Sequence, residues 1–153
     1  MDRSGQMSTG HRLDELAEAL PQRAAALSRL FIAHTTVPLS RTEVGVLRDL
    51  TKGPIRITEL ARREGVTQPA ISLLVNRLEA RGWVSREADP SDRRAVLVAI
   101  TKEGTACFDE LRAQYRALLH EEMASLGPGE VEILASAVEI LDRVIARLQK
   151  LDT

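Results

Sequence analysis

Thr67-Gln68-Pro69-Ala70-Ile71-Ser72 opens a segment that reads as a helix as far as Arg81, where Gly82 stops it. Its leading side chains suit the edges of nucleic-acid bases. Gln68 can pair with adenine, Ser72 with several bases, and Ala70 can touch a thymine methyl. Ser72, Asn76 and Arg77 can also reach phosphate oxygens. Two short apolar stretches follow, Trp83-Val84 and residues 95–100, joined by the polar loop Asp89-Pro90-Ser91-Asp92-Arg93-Arg94. An arginine at a hairpin tip is drawn into a narrow minor groove by its negative potential. A polar-fronted helix followed by a basic-tipped hairpin therefore fits a reader of DNA grooves. Plainer readings compete. Thr67 as a helix cap accounts for itself, Asp-Pro-Ser-Asp is good turn chemistry without any ligand, and Arg62 and Arg63 read as a solvated helix end. Arg86 and Arg93 read as phosphate neighbours or structural partners.

The elements that must position these groups follow from periodicity. Leu13, Leu16, Leu20, Leu27, Leu30 and Phe31 recur at helical spacing and predict a helix over 11–33, kinked or broken at Pro21. Ser40 with Glu43 fits a capping box for a helix carrying Val44, Leu47 and Leu50, ended by Gly53-Pro54. Residues 55–57 suit a short strand. Thr58 is the expected cap of a short helix bearing Leu60 and Ala61, closed by Gly65. Thr67 caps the next, with Pro69 tolerated in its first turn. Its buried face is expected to be Ala70 or Ile71, then Leu74, Val75 and Leu78.

Two helices across a short glycine turn make a helix-turn-helix, and the hairpin behind them makes it winged. On the return strand Val96, Val98 and Ile100 share a face. Thr101 caps a long helix through Phe108, Leu111, Tyr115 and Leu118. Gly127-Pro128-Gly129-Glu130 restarts the last one, where Val131, Leu134, Val138, Leu141, Ile145 and Leu148 step by three and four. A helix of about 30 Å with that seam needs a long partner surface. The small winged domain is too short to cover it, and a second copy of the chain can.

The fold class expected is mainly α, a winged helix-turn-helix with a small β-hairpin wing and long N- and C-terminal dimerisation helices. The division expected is a disordered lead-in over 1–10, an N-terminal dimerisation helix over 11–36, the winged domain over 37–101 and dimerisation helices over 102–153. Composition agrees, since 44% hydrophobic residues with only 3% aromatic implies an aliphatic, helix-packed core. The formal net charge is −1, but residues 52–103 hold ten Lys/Arg against seven Asp/Glu, while residues 104–153 hold five against nine. Only the local field matters to a phosphate backbone.

Asp92-Arg93-Arg94, then Leu97 and Ile100-Thr101, together with Glu59-Leu60-Ala61 and Leu78-Glu79-Ala80-Arg81-Gly82, resemble in order and spacing the MarR family of bacterial transcription regulators. The resemblance runs over residues 11–151, with Gly127 standing where the family often has Ser or Thr. It implies a homodimer whose terminal helices interlock and hold two winged domains over successive major grooves of a pseudo-palindromic operator. It assigns Arg94 to the minor groove and gives Asp92 the role of orienting arginines and stiffening the wing. It implies repression relieved by a small phenolic or other anionic effector bound between winged domain and dimer helices, where Arg23, His34 and Arg116 are the polar groups expected.

Other classes fit less well. A winged-helix module that docks proteins without reading DNA is the alternative. There is no Gly-rich phosphate loop, Gly-x-Ser-x-Gly or His-Glu-x-x-His, so neither catalytic residues nor a cofactor are expected. His11, His34 and His120 show no metal-ligand spacing with one another or with Cys107. Cys107 lies beside Phe108 on a packing helix and reads as an inert thiol. A single cysteine and a polar start without an apolar signal region point to a reducing cytoplasm, and to the nucleoid when DNA is bound. No stretch is long and apolar enough for a membrane span.

Overall fold

The computed structural model describes residues 3–151, without the side chains of residues 3–8, Arg93 and Arg94. In chain order it has α1 (Arg3–Ala33), α2 (Arg41–Leu50), β1 (Ile55–Arg56), α3 (Ile57–Glu64), α4 (Gln68–Ala80), β2 (Val84–Asp89), β3 (Asp92–Ile100), α5 (Lys102–Met123) and α6 (Pro128–Gln149). Two compact units divide at Tyr115 and Arg116, within α5.

The caps expected from the sequence form. The Glu43 carboxylate accepts from the Ser40 N–H at 2.8 Å, and the Glu43 N–H donates to Ser40 Oγ at 3.3 Å. Such a cap contributes about 1 kcal/mol. The N–H of Ala70 donates to Thr67 Oγ1 at 3.4 Å and that of Gly104 to Thr101 Oγ1 at 3.0 Å. Gly65 takes φ +63°, the left-handed geometry that ends α3 and turns the chain into α4. Pro128 opens α6, where the Glu130 carboxylate accepts from the Gly127 N–H at 2.8 Å.

Four local expectations are corrected. Helix α1 starts at Arg3, so residues 3–10 extend it instead of forming a structureless lead-in, because adding residues to an existing helix is easy once its first turn has formed. Of the kink or break expected at Pro21, the break does not form, since the helix is continuous there. Pro21 and Ala17 are exposed, so water can take the carbonyl that proline leaves without a donor. Helix α3 starts one residue before Thr58, with Arg56 at the cap and no side-chain capping bond, because the chain passes from strand to helix without a loop. The expected six-residue wing loop is a tight turn at Pro90-Ser91, with both strands extended to it. The apolar alternation that marks a strand fades over Ser85, Arg86 and Glu87 because that part of the wing packs against no core.

The core of the first unit is aliphatic, as its composition requires. Val46, Leu47 and Leu50 of α2 meet Leu60 of α3, Ile71, Leu74, Val75 and Leu78 of α4, and Phe108 and Leu111 of α5. Ile71, not Ala70, is the first buried position of α4. The sheet runs β1-β3-β2, with Ile55 opposite Val98 and Val84 opposite Ile100, all antiparallel. Val98 is fully buried while Val96, two residues nearer the tip, is 40% exposed. Only the base of the wing rests on the core. Trp83 is half-buried there, with the Arg81 guanidinium 5.0 Å over its ring.

The start of α5 is pressed against that base. The N–H of Thr101 donates to the Trp83 carbonyl at 3.0 Å, and the Thr101 hydroxyl to the Gly82 carbonyl at 2.7 Å. A Cβ on Gly104 would overlap the same Trp83 carbonyl. Since the obstacle is backbone, Gly104→Ala is expected to cost roughly 1–3 kcal/mol and lower Tm by several degrees. A Tm within one degree of wild type would show that helix and strand can separate without loss.

In the second unit, α6 has no buried residue. Besides the row expected from the sequence, Ile133, Ile140 and Val144 form a second exposed apolar row on α6. At 100° per residue the two rows together cover about half the helix circumference.

Candidate nucleic-acid interface

Helix α4 carries the candidate readers. Its inward face is Ile71, Leu74, Val75 and Leu78, all buried. That orientation turns Gln68, Pro69, Ala70, Asn76 and Arg77 outward, with Ser72 half-exposed and Thr67 exposed at the cap. The same geometry exposes Leu73, which reading for polar groups missed. The signal was present, since Leu73 is four residues from both Pro69 and Arg77 and off the buried repeat.

The cations behind the first turn are held by protein partners. Arg86 on β2 donates to Asn76 Oδ1 at 2.5 Å and pairs with the Glu79 carboxylate. A guanidinium only donates, so the Asn76 oxygen must face it and the amide NH₂ stays a donor. Arg86 thus ties wing to helix, the structural partner among its two readings. Glu43 is 5% exposed and faces Arg77 at 4.0 Å and Arg81 at 3.9 Å, joining the cap of α2 to α4. On α3, Arg62 and Arg63 both donate to Glu59, at 2.9 and 2.7 Å. These two bonds, the Arg62 one foremost, hold the Glu59 carboxyl down at about 2. They form an ion-paired cluster where a merely solvated helix end was expected.

The wing is braced by Asp89, for which the sequence suggested only a turn. Its carboxylate is buried and accepts from the Ser91 hydroxyl at 2.6 Å, the Ser91 N–H at 2.8 Å and Arg56 Nε at 2.7 Å. Arg56 and Asp89 are far apart in sequence and adjacent in space, so only the fold reveals the pair. The Ser91 bonds, then Arg56, hold the Asp89 carboxyl down at about 2. A carboxyl with a lowered folded-state pKa stabilises at pH above its unfolded value, here 3.8, and loses that contribution as pH falls toward about 2. The Tm difference between wild type and Asp89→Asn is therefore expected to shrink between pH 5 and pH 2. A difference constant over that range would contradict the brace. Asp92 stands opposite Asp89 in the hairpin register, in β3 with Arg93 and Arg94. The side chains of Arg93 and Arg94, and any contact they make, lie outside the described residues.

A cavity of about 590 Å³ lies within the first unit. Phe31 and Tyr115, stacked at 4.7 Å, form an aromatic wall, and Arg41, Arg48, Arg63 and Glu64 supply charge. Arg48 is 3.8 Å from Glu64. Burial pushes the Glu64 carboxyl up, while Arg48 and Arg41 pull it down. Arg23, His34 and Arg116, expected to line an effector cleft, are not among the lining residues. His34 bonds to the Leu30 carbonyl at 2.8 Å, and Arg116 belongs to the second unit. The cavity's cations come instead from the outer faces of α2 and α3, which carry no apolar pattern to single them out. Burial pushes the Cys107 thiol up, which keeps it protonated at neutral pH and a poor nucleophile. Among the described residues no His/Cys/Asp/Glu cluster is arranged to hold a metal.

Residues 39–96 match the family model for the MarR family. The helix-turn-helix transcriptional repressor NicR of Pseudomonas putida is 38% identical over 97 residues, 63% of this chain and 60% of that protein, so the chain spans less than two thirds of that relative. The helix-turn-helix transcriptional regulator Mb0904 of Mycobacterium bovis is 30% identical over 128 residues, 82% of this chain and 90% of that protein. The crystal structure of RV1404 from Mycobacterium tuberculosis shares the fold, with a TM-score of 0.73 at 24% identity over 95% of this chain and 97% of that one.

Proposed function

The chain belongs to the MarR family, and on that premise we propose that it is a DNA-binding transcriptional regulator, a homodimeric repressor of a pseudo-palindromic operator released by a small anionic effector. The observation that carries this is the outward set on α4 beside a braced hairpin. Gln68, Ala70 and Ser72 read base edges, with Thr67 and Pro69 fixing the approach of the helix start. Asn76 and Arg77 reach phosphate. Arg94 enters the minor groove beside the wing, with Asp92, Arg93 and Arg86 supporting it. Each phosphate that a cation neutralises releases counterions and makes binding salt-dependent, while cations that leave an intramolecular carboxylate to do so contribute less to that dependence.

Dimerisation is supported by the exposed leucines of α1 and the two apolar rows of α6. Exposed apolar surface on that scale belongs to an interface. Among the described residues no helix is long and apolar enough to cross a membrane. Work in the cytoplasm, on nucleoid DNA, fits this role.

Release is supported by the cavity. Its aromatic wall and three arginines suit an aromatic carboxylate or phenolate. Arg63 and Glu64 lie at the end of α3, and Gly65 turns directly from there into α4. An anion competing for Arg48 and Arg63 therefore pulls on the element that aims the reading helix. The effector must bind the non-DNA state more tightly to shift the equilibrium. Titrating aromatic carboxylates and phenols into a preformed complex is expected to dissociate it, and Arg48→Ala should hold DNA but resist release. If no such anion dissociates the wild-type complex, the protein is a constitutive regulator.

A further inference from the structure

We propose that Leu73, with Pro69 and Ala70 beside it, reads thymine C5-methyl groups, so that each half-site carries thymine at one or two positions facing α4. The inference rests on the operator-reading role proposed above and names what that helix selects. Leu74 and Leu78, the other leucines of α4, are at most 5% exposed, whereas Leu73 is 57% exposed. At 100° per residue it points away from the Ile71–Leu74–Val75–Leu78 face. Pro69 and Ala70, four and three residues earlier, lie on the same side and are exposed. The three make an apolar edge at the leading half of the reading helix.

The polar side chains that follow Leu73 on α4 are already engaged within the protein. Asn76, three residues later, has its oxygen held by Arg86, and Arg77 leans toward buried Glu43. Polar reading is thus concentrated at Gln68 and Ser72, and the centre of the outward face is hydrocarbon. The one apolar feature that a base pair presents in the major groove is the thymine methyl. Facing cytosine N4 or guanine O6, the same edge would strip water from a polar group without replacing its hydrogen bond. Selection is therefore positive for thymine and negative against G·C.

Replacing single thymines by uracil removes only the C5-methyl and leaves base pairing intact. Duplexes selected by the full-length protein from a random pool supply the parent sequence. At one or two positions per half-site, uracil is expected to weaken binding roughly fourfold per methyl. Leu73→Ala, a surface change, is expected to abolish the thymine–uracil difference at those positions. Uracil without effect at every half-site thymine would overturn the inference, as would a difference that survives in Leu73→Ala. Failure of the protein to bind any duplex would overturn the operator-reading role itself, and this inference with it.

Discussion

A Val138→Glu chain is expected to sediment as a monomer and to bind the operator about 10³-fold more weakly than wild type, the range gained when two modules are linked. Val138 lies mid-way along α6 in the row Val131, Leu134, Val138, Leu141, Ile145 and Leu148, on a helix with no buried residue. Twenty-two residues span about 33 Å, long enough for an extensive helical interface. A carboxylate in the middle of such an interface loses water without gaining a partner. The folded chain should survive, because Val138 is exposed in it. Each winged domain would then meet a half-site alone and lose the effective concentration that the second provides. A Val138→Glu protein that remains dimeric, or binds as wild type, would show that α6 is not the dimer interface.

Arg94→Ala is expected to weaken operator binding about 10- to 100-fold, and to make the slope of log affinity against log salt shallower by about one, the change expected when one cation leaves the DNA. The hairpin that would present it is fixed beside its turn by Arg56, Asp89 and Ser91. An arginine on a braced hairpin loses less freedom on entering a groove than one on a loose loop. Arg86→Ala should act differently, by releasing Asn76 and Glu79 on α4. Unchanged affinity in Arg94→Ala would make the wing a protein-docking surface, the alternative role for a winged helix.

Much of the fold was legible because its signals are local. Ser40 with Glu43, Thr67, Thr101, and Gly127 with Glu130 each mark a helix start through bonds made within four residues. Leu74, Val75 and Leu78 of α4 follow from period, which left the first buried position open between Ala70 and Ile71. What escaped depends on partners distant in sequence. The brace joins Arg56 to Asp89, and the hub joins Glu43 to Arg77 and Arg81, neither with any local pattern. The wing strands extend further than their apolar residues suggest because Ser85, Arg86 and Glu87 pack against no apolar core that would force alternation, and the buried residue beyond them, Asp89, is polar. The second row of α6 was overlooked because one heptad-like row already explained a packed helix. Leu73 was passed over for the opposite reason, as a leucine among leucines whose outward direction emerges only when the buried face is counted out.

The central claim is that this chain reads sequence as a dimer. Selection of the purified full-length protein against a random double-stranded DNA pool, at near-physiological salt, tests it most directly. The account predicts enrichment of a pseudo-palindrome with half-sites about one helical turn apart. Retention of DNA without an enriched sequence, or no retention at all in protein freed of bound small molecules, would contradict it.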